Sequence, residues 1–173
     1  MNDFEPMTCV RGKRRIYRPF DGNYEVLELR QYPYTSEYME AVSKRIRANL
    51  TGELVAREIR EKYPSNHPRW GYPFFGYCVP ATFTLLYLMD TDVLEPMRGE
   101  DKEGEGHWWL KDKLTERIYD LTAEQFSNKT ELQSIYEGGC MGQNHNLYKN
   151  MPDSTIFNLI QKVEPNSMRF IVS

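Results

Sequence analysis

The chain has 173 residues, a formal net charge of −3 and 40% hydrophobic residues; that length normally forms one domain with a proper core, and the acidic balance argues against a generic nucleic-acid binder. No stretch is long and apolar enough to span a bilayer, and the amino end MNDFEPMTCV lacks the charged-then-apolar pattern of a signal peptide, so a cytoplasmic location is expected. The three cysteines are widely spaced and suggest reduced thiols rather than a disulfide framework.

Arg11 to Arg18 forms a local basic run, read as a solvated arm or edge strand. Asp21-Gly22-Asn23 is a turn signal between the extended segments Arg15 to Phe20 and Tyr24 to Leu29. Ser36 can cap a helix carrying Tyr38, Val42, Ile46 and Leu50 on one face, and Thr51 and Gly52 can start a second with Leu54, Val55 and Ile59 inward. From Tyr63 to Phe75 prolines and aromatics dominate, Trp70 and Tyr72 among them, which predicts an irregular wall.

Gly76-Tyr77-Cys78-Val79-Pro80-Ala81 leads into a run, Thr82 to Met89, that is apolar almost all round. Such a helix is a buried central one, and Pro80 suits its first turn. Cys78 therefore lies at or just before a helix N-terminus, where the positive end of the dipole and a neighbouring imidazolium favour a thiolate. Residues 98 to 106, RGEDKEGEG, read as an exposed loop.

HWWLKDKLTERIYDLTAEQF, His107 to Phe126, reads as a hairpin turning at Lys113 and Leu114. That register sets Lys111 opposite Glu116, Trp109 opposite Ile118 and His107 opposite Asp120, with Cβ atoms of facing pairs roughly 4.5–5.5 Å apart. A slip of one residue would put the imidazole and the carboxylate on opposite faces. Asp-Lys-Leu-Thr contains no glycine, which favours a four-residue loop over a two-residue one. Thr122-Ala-Glu-Gln125 fits a capping box, placing Asp120 at a strand end before a helix. Cys78, His107 and Asp120 are the parts of a thiol nucleophile, a general base and a residue that orients the base.

Residues 128 to 150 are rich in glycine and asparagine, and GGCMGQNHN reads as a loop holding Asn144 and His145. With Trp70 and Trp108, these two are the candidate substrate contacts. Cys140 and His145, taken with Cys78 and His107, match no common zinc spacing, so neither metal nor cofactor is expected. Thr155 to Val163 predicts a terminal helix.

A cysteine leading a buried helix, then H-W-W-L on a strand, a short turn and I-Y-D-L-T-A-E-Q-F resembles the YunG-like family, small proteins within the broad papain-like cysteine hydrolase and transglutaminase-like group. The resemblance covers about residues 71 to 126, with a looser echo in Thr155 to Val163. Chain order in that group is Cys, His, Asp; it implies Cys78 as nucleophile, His107 as base and Asp120 as third member. Papain has a glutamine upstream of its nucleophile as an oxyanion donor, and none occurs here between Gln31 and Cys78. The backbone N–H of Cys78 is then the first oxyanion donor, with Asn66, Tyr72 and Gln125 open as the second.

The expectation is one α+β domain of papain-like architecture: an N-terminal extension with two amphipathic helices (1–62), a core (71–126), and a Gly/Asn-rich loop with a terminal helix (127–173). The function expected is acyl transfer from a protein or peptide substrate, as peptidase, amidase or isopeptidase, with no nucleic acid or membrane partner. A transglutaminase-like transferase and a non-catalytic interaction module on the same fold are the alternatives.

Overall fold

A computed structural model of the protein describes residues 12–52 and 57–173. The chain begins with an antiparallel hairpin, β1 (Lys13–Phe20) and β2 (Asn23–Arg30), closed by the pair Phe20↔Asn23. Asp21 and Gly22 between them take positive φ, 44° and 73°, in the two-residue turn whose twist matches that of the strands. The basic run is thus an edge strand, with Lys13 and Arg15 paired to Glu28 and Arg18 to Glu25. Arg11 lies outside the described residues.

A short strand β3 (Tyr32–Pro33) leads into α1 (Ser36–Ala48). Its cap is Thr35, one residue before the expected Ser36: Thr35 is extended and its hydroxyl accepts from the Tyr38 N–H at 3.2 Å. The inward row is Met39, Val42 and Ile46, while Tyr38 stays exposed. A row spaced strictly by four drifts around a helix of 3.6 residues per turn, so Tyr38 leaves the stripe and Met39 joins it. In α2 (Arg57–Lys62) Ile59 is half-buried. Leu54 and Val55 lie outside the described residues.

The central element is α3 (Cys78–Leu88), with Ala81, Phe83, Leu85, Tyr87 and Leu88 all buried. It is apolar all round because α1, the later helix α6 (Ser154–Val163) and the strand β6 (Gly106–Asp112) each cover part of it. β4 (Met89–Asp90) follows and pairs in parallel with β3. Ile16, Leu27, Val42 and Ile46 share one buried cluster with α3, so within residues 12–52 the hairpin and α1 contribute to the core rather than extending from it.

A strand unforeseen in the sequence, β5 (Leu94–Glu100), pairs with β6 along its whole length, from Leu94↔Asp112 to Glu100↔Gly106. The expected loop 98–106 therefore shrinks to residues 101–105. It is anchored by a buried Asp101, whose Oδ1 accepts the N–H groups of Glu103 and Glu105 and whose Oδ2 receives Arg69. β7 (Ile118–Tyr119) and β8 (Cys140–Met141) complete an antiparallel sheet in the order β7-β6-β5-β8.

The segment expected as a Gly/Asn-rich loop carries α4 (Lys129–Gly138), capped by Asn128 Oδ1 on the N–H groups of Thr130 and Glu131, and then α5 (His145–Tyr148). Its glycines have a packing reason. A Cβ on Gly139 would stand 2.4 Å from the Trp109 ring, and one on Gly142 2.1 Å from the Trp108 ring. On β5, Gly99 lets the Ile135 carbonyl approach to 2.6 Å of where a Cβ would be, so α4 comes close to the sheet there.

α6 is capped by Asp153 on the Ile156 N–H at 2.8 Å and buries Ile156, Phe157, Leu159, Ile160 and Val163. The last strand, β9 (Met168–Val172), returns to β2, Tyr24 opposite Val172, so the first sheet has the order β1-β2-β9. Both larger sheets are antiparallel and the architecture is mixed α+β. Among the described residues no helix is long and apolar enough to cross a membrane.

Candidate active site

Cys78 is the first residue of α3, with Tyr77 as the cap. Gly76, at φ 86°, and Phe74, at φ 62°, make the tight approach that aims it, the Tyr77 N–H bonding back to the Phe74 carbonyl at 3.2 Å. An ordinary side chain at position 76 would be strained in that left-handed conformation. Cys78 Sγ lies 4.0 Å from the carbonyl oxygen of Gly106, the residue before His107. Pro80, third in the helix, has no N–H to leave unsatisfied.

His107 and Asp120 meet: Nε2 is 2.6 Å from Oδ2, and both side chains are almost wholly buried. The register is not the one expected. Leu110 faces Tyr119 and Lys111 faces Ile118, two residues away from the predicted pairing. A shift of two preserves the face where a shift of one would not, because side chains alternate with period two. The imidazole therefore reaches the carboxylate diagonally. The cause is the turn. Asp112 Oδ1 accepts from Leu114 N and Thr115 N, and Glu116 takes φ 62°, which enlarges the loop to residues 113–117. Lys111 and Glu116 still form an ion pair.

The capping box does not form. Thr122 opens a single 3-10 turn, Ala123–Gln125, without a side-chain cap, and its hydroxyl and N–H instead turn to Asp120 Oδ1, at 3.2 and 2.9 Å. Gln125 Nε2 donates to Thr122 Oγ1 at 3.0 Å and lies 3.3 Å from His107 Nδ1. Oδ2 of Asp120 has one more donor, the hydroxyl of Tyr136 at 2.7 Å. The Tyr136 ring packs edge-on against Trp109, which in turn stacks on His107. Tyr136 escaped the sequence reading, although Leu132, Ile135 and Tyr136 have helical spacing behind an Asn cap.

Burial alone would depress the His107 pKa, but the hydrogen bonds and charges of Asp120 and Cys78 outweigh it and push it up to about 9. Burial likewise would raise the Asp120 carboxyl; the His107 bond and charge, then the Tyr136 hydroxyl and the Thr122 N–H, hold it below its ordinary value. Burial and the Asp120 charge raise Tyr136. It therefore stays a donor.

Tyr136→Phe keeps the ring and removes that donor. The expected cost is roughly 1.5–3 kcal/mol, the range for a hydrogen bond to a charged group. The sign with pH follows. A depressed carboxylate stabilises the fold above its unfolded pKa and loses this as pH falls through the folded value. Loss of the Tyr136 bond raises the folded value, so acid unfolding of the variant should begin at a higher pH. Circular dichroism during acid titration measures it, and coincident curves would remove the bond's energetic role.

Cys78, His107 and Gln125 line one cavity of about 280 Å³, walled by Phe75, Tyr63 and Phe126. Of the second oxyanion candidates, Gln125 faces it, while Asn66 and Tyr72 are exposed and outside it. The substrate candidates fall elsewhere. Trp108 is buried against Phe83 of α3, on the strand face opposite His107, because the two are adjacent in a strand. Trp70 lines a separate cavity with Arg60 and packs on Phe75. Asn144 accepts from the Leu147 N–H and lines a third cavity, which shares Val79 and Asp153 with the first. His145 opens α5, and its side chain is not among those described. Among the described residues no three His, Cys, Asp or Glu side chains gather as a metal site.

No family model, curated protein or solved structure matches the chain.

Proposed function

We propose that the protein is a cysteine-dependent acyl-transfer enzyme of papain-like architecture, working on an amide, ester or isopeptide carbonyl. The observation that carries this is the buried His107, hydrogen-bonded at Nε2 to Asp120 and raised by both Asp120 and Cys78. With the Nε2 proton committed to Asp120, Nδ1 is the nitrogen left to take the thiol proton. Cys78 then attacks the carbonyl as thiolate, the tetrahedral oxyanion takes the Cys78 N–H at the free helix end, and imidazolium returns the proton to the leaving group. Asp120 fixes the ring, held itself by Tyr136 and Thr122. Water or an amine resolves the thioester. The chain order Cys, His, Asp and the helix-borne thiol support placing it with the YunG-like proteins it resembles.

The test needs no known substrate. Brief treatment with limiting iodoacetamide at pH 6, read by peptide mass spectrometry, should alkylate Cys78 ahead of Cys140 and Cys9. Accessibility predicts the reverse for the first pair, since Cys78 is 9% exposed and Cys140 lies on the surface. An ordinary thiol is only ~0.3% thiolate at pH 6, which leaves an ion-paired one about tenfold ahead after its lower nucleophilicity is counted. His107 with a raised pKa supplies its charge below about 9 and loses it above, so the advantage should close as the pH passes 9. Cys140 labelling first at pH 6 would remove the nucleophile assignment.

A further inference from the structure

The cavity that holds Cys78 is not evenly charged. Of its lining groups other than the Cys78–His107 pair, Arg69 is cationic while Asp101, Glu105 and Asp153 are anionic. Arg69 is already engaged by Asp101 and Glu103. Glu105 differs in its partners, one of which is the Tyr63 hydroxyl that hydrogen-bonds its carboxylate. Its carboxylate pairs with the ammonium of Lys62, the last residue of α2, and that ammonium also sits 5.8 Å from the centre of the Tyr63 ring. An alkylammonium group is therefore seated between a carboxylate and an aromatic face, on residues that line the cavity.

Lys62 is poorly committed to this place. Its side chain is 58% exposed while that of Glu105 is 21% exposed, and an exposed ion pair holds its partners only weakly. A substrate cation arriving from the cavity side would gain the same carboxylate and ring in a drier setting, where both attractions strengthen. Tyr63 meets Phe75 edge-on at 5.1 Å, which keeps the ring upright for it.

We infer that the Glu105–Tyr63 corner is a subsite for an alkylammonium group of the substrate, occupied in the free protein by Lys62, and that the site prefers lysine-like cationic substrates to anionic ones. The inference rests on Cys78 being the reactive thiolate proposed above. Lys62 is then an internal competitor and Glu105 the specificity-determining residue.

Methanethiosulfonate reagents that differ in charge test it, through the rate of mixed-disulfide formation at Cys78 with release of methanesulfinate. The 2-aminoethyl, methyl and 2-sulfonatoethyl reagents are compared at pH 7, each rate divided by that with N-acetylcysteine amide. The cationic-to-anionic ratio should exceed the reference by about tenfold, the lower end of electrostatic steering, and fall with added salt. Lys62→Ala should raise the ratio further and Glu105→Gln return it to the reference. Should Glu105→Gln fail to fold, Lys62→Ala alone still decides: an unchanged ratio at the reference value in both wild type and Lys62→Ala overturns the subsite. A fast methyl reagent with a flat ratio sinks the subsite alone, whereas a slow methyl reagent sinks the reactive thiolate first. Protection of Cys78 from the methyl reagent by Nα-acetyl-lysine amide but not pentylamine assigns the ammonium to a lysine residue. Protection by both assigns it to a free amine, and protection by neither counts against the subsite.

Discussion

Cys78→Ser should abolish turnover of p-nitrophenyl acetate and the trapped acyl-enzyme, by roughly 10⁴-fold or more, while leaving the melting temperature within a few degrees. Oxygen replaces sulfur in a site whose contact with the Gly106 carbonyl is long, 4.0 Å, so little packing changes. His107→Ala is a different experiment. His107 is 1% exposed, stacked on Trp109, edge-on to Phe126, and the countercharge of a buried Asp120. Removing one partner of a buried pair costs about 3–5 kcal/mol, so chemistry and stability should fall together. Asp120→Asn keeps the shape and one of the two acceptor oxygens and should retain more activity than either. Turnover persisting in a folded Cys78→Ser protein would end the catalytic reading and favour a binding module.

A second large loss of stability should come from glycines remote from Cys78. Gly142→Ala puts a methyl 2.1 Å from the Trp108 ring, and Gly139→Ala puts one 2.4 Å from the Trp109 ring, distances that atoms do not tolerate. Both indoles are buried, Trp109 between α4 and His107. One side or the other must shift, at about 1–3 kcal/mol or more each. Gly138→Ala is the control next door, since nothing lies within 4 Å of its Cβ and it ends a helix. Urea midpoints measure all three. Equal midpoints for Gly138→Ala and Gly139→Ala would show that Trp109 is not packed against α4 as described.

How much of this was legible in the sequence depended on how local each signal was. Asp21-Gly22 specifies its own turn, and the run after Cys78 can be apolar on every side only if it is buried, so both elements could be read directly. The meeting of His107 and Asp120 was legible for a subtler reason: their shared face depends on the parity of the register, which survived a turn enlarged by Asp112. β5 and β8 carry little pattern of their own. Pro96 and Gly99 break the strand signal in one, and the other is two residues long, so pairing with β6 and β5 defines them. α4 was hidden by the glycines that follow it, which suggest a loop until the indoles they accommodate are seen. Tyr136 was lost with that helix. Trp108 illustrates the converse error, because an aromatic beside a candidate base invites a substrate role, yet adjacency along a strand sends it to the far face.

The closing pair of the first sheet, Tyr24 with Val172, sets an order of events. The β1-β2 hairpin and the β5-β6 hairpin join neighbours in sequence and can form within microseconds of becoming available, but β9 must cross nearly the entire chain to find β2. The entropy of closing that loop is met only once α3 and α6 have packed and brought the ends together. β9 should therefore dock late in folding and be among the first elements to detach. Its amide protons should exchange with solvent sooner than those of β6, and while it is away β2 presents a free edge able to recruit a strand from another molecule.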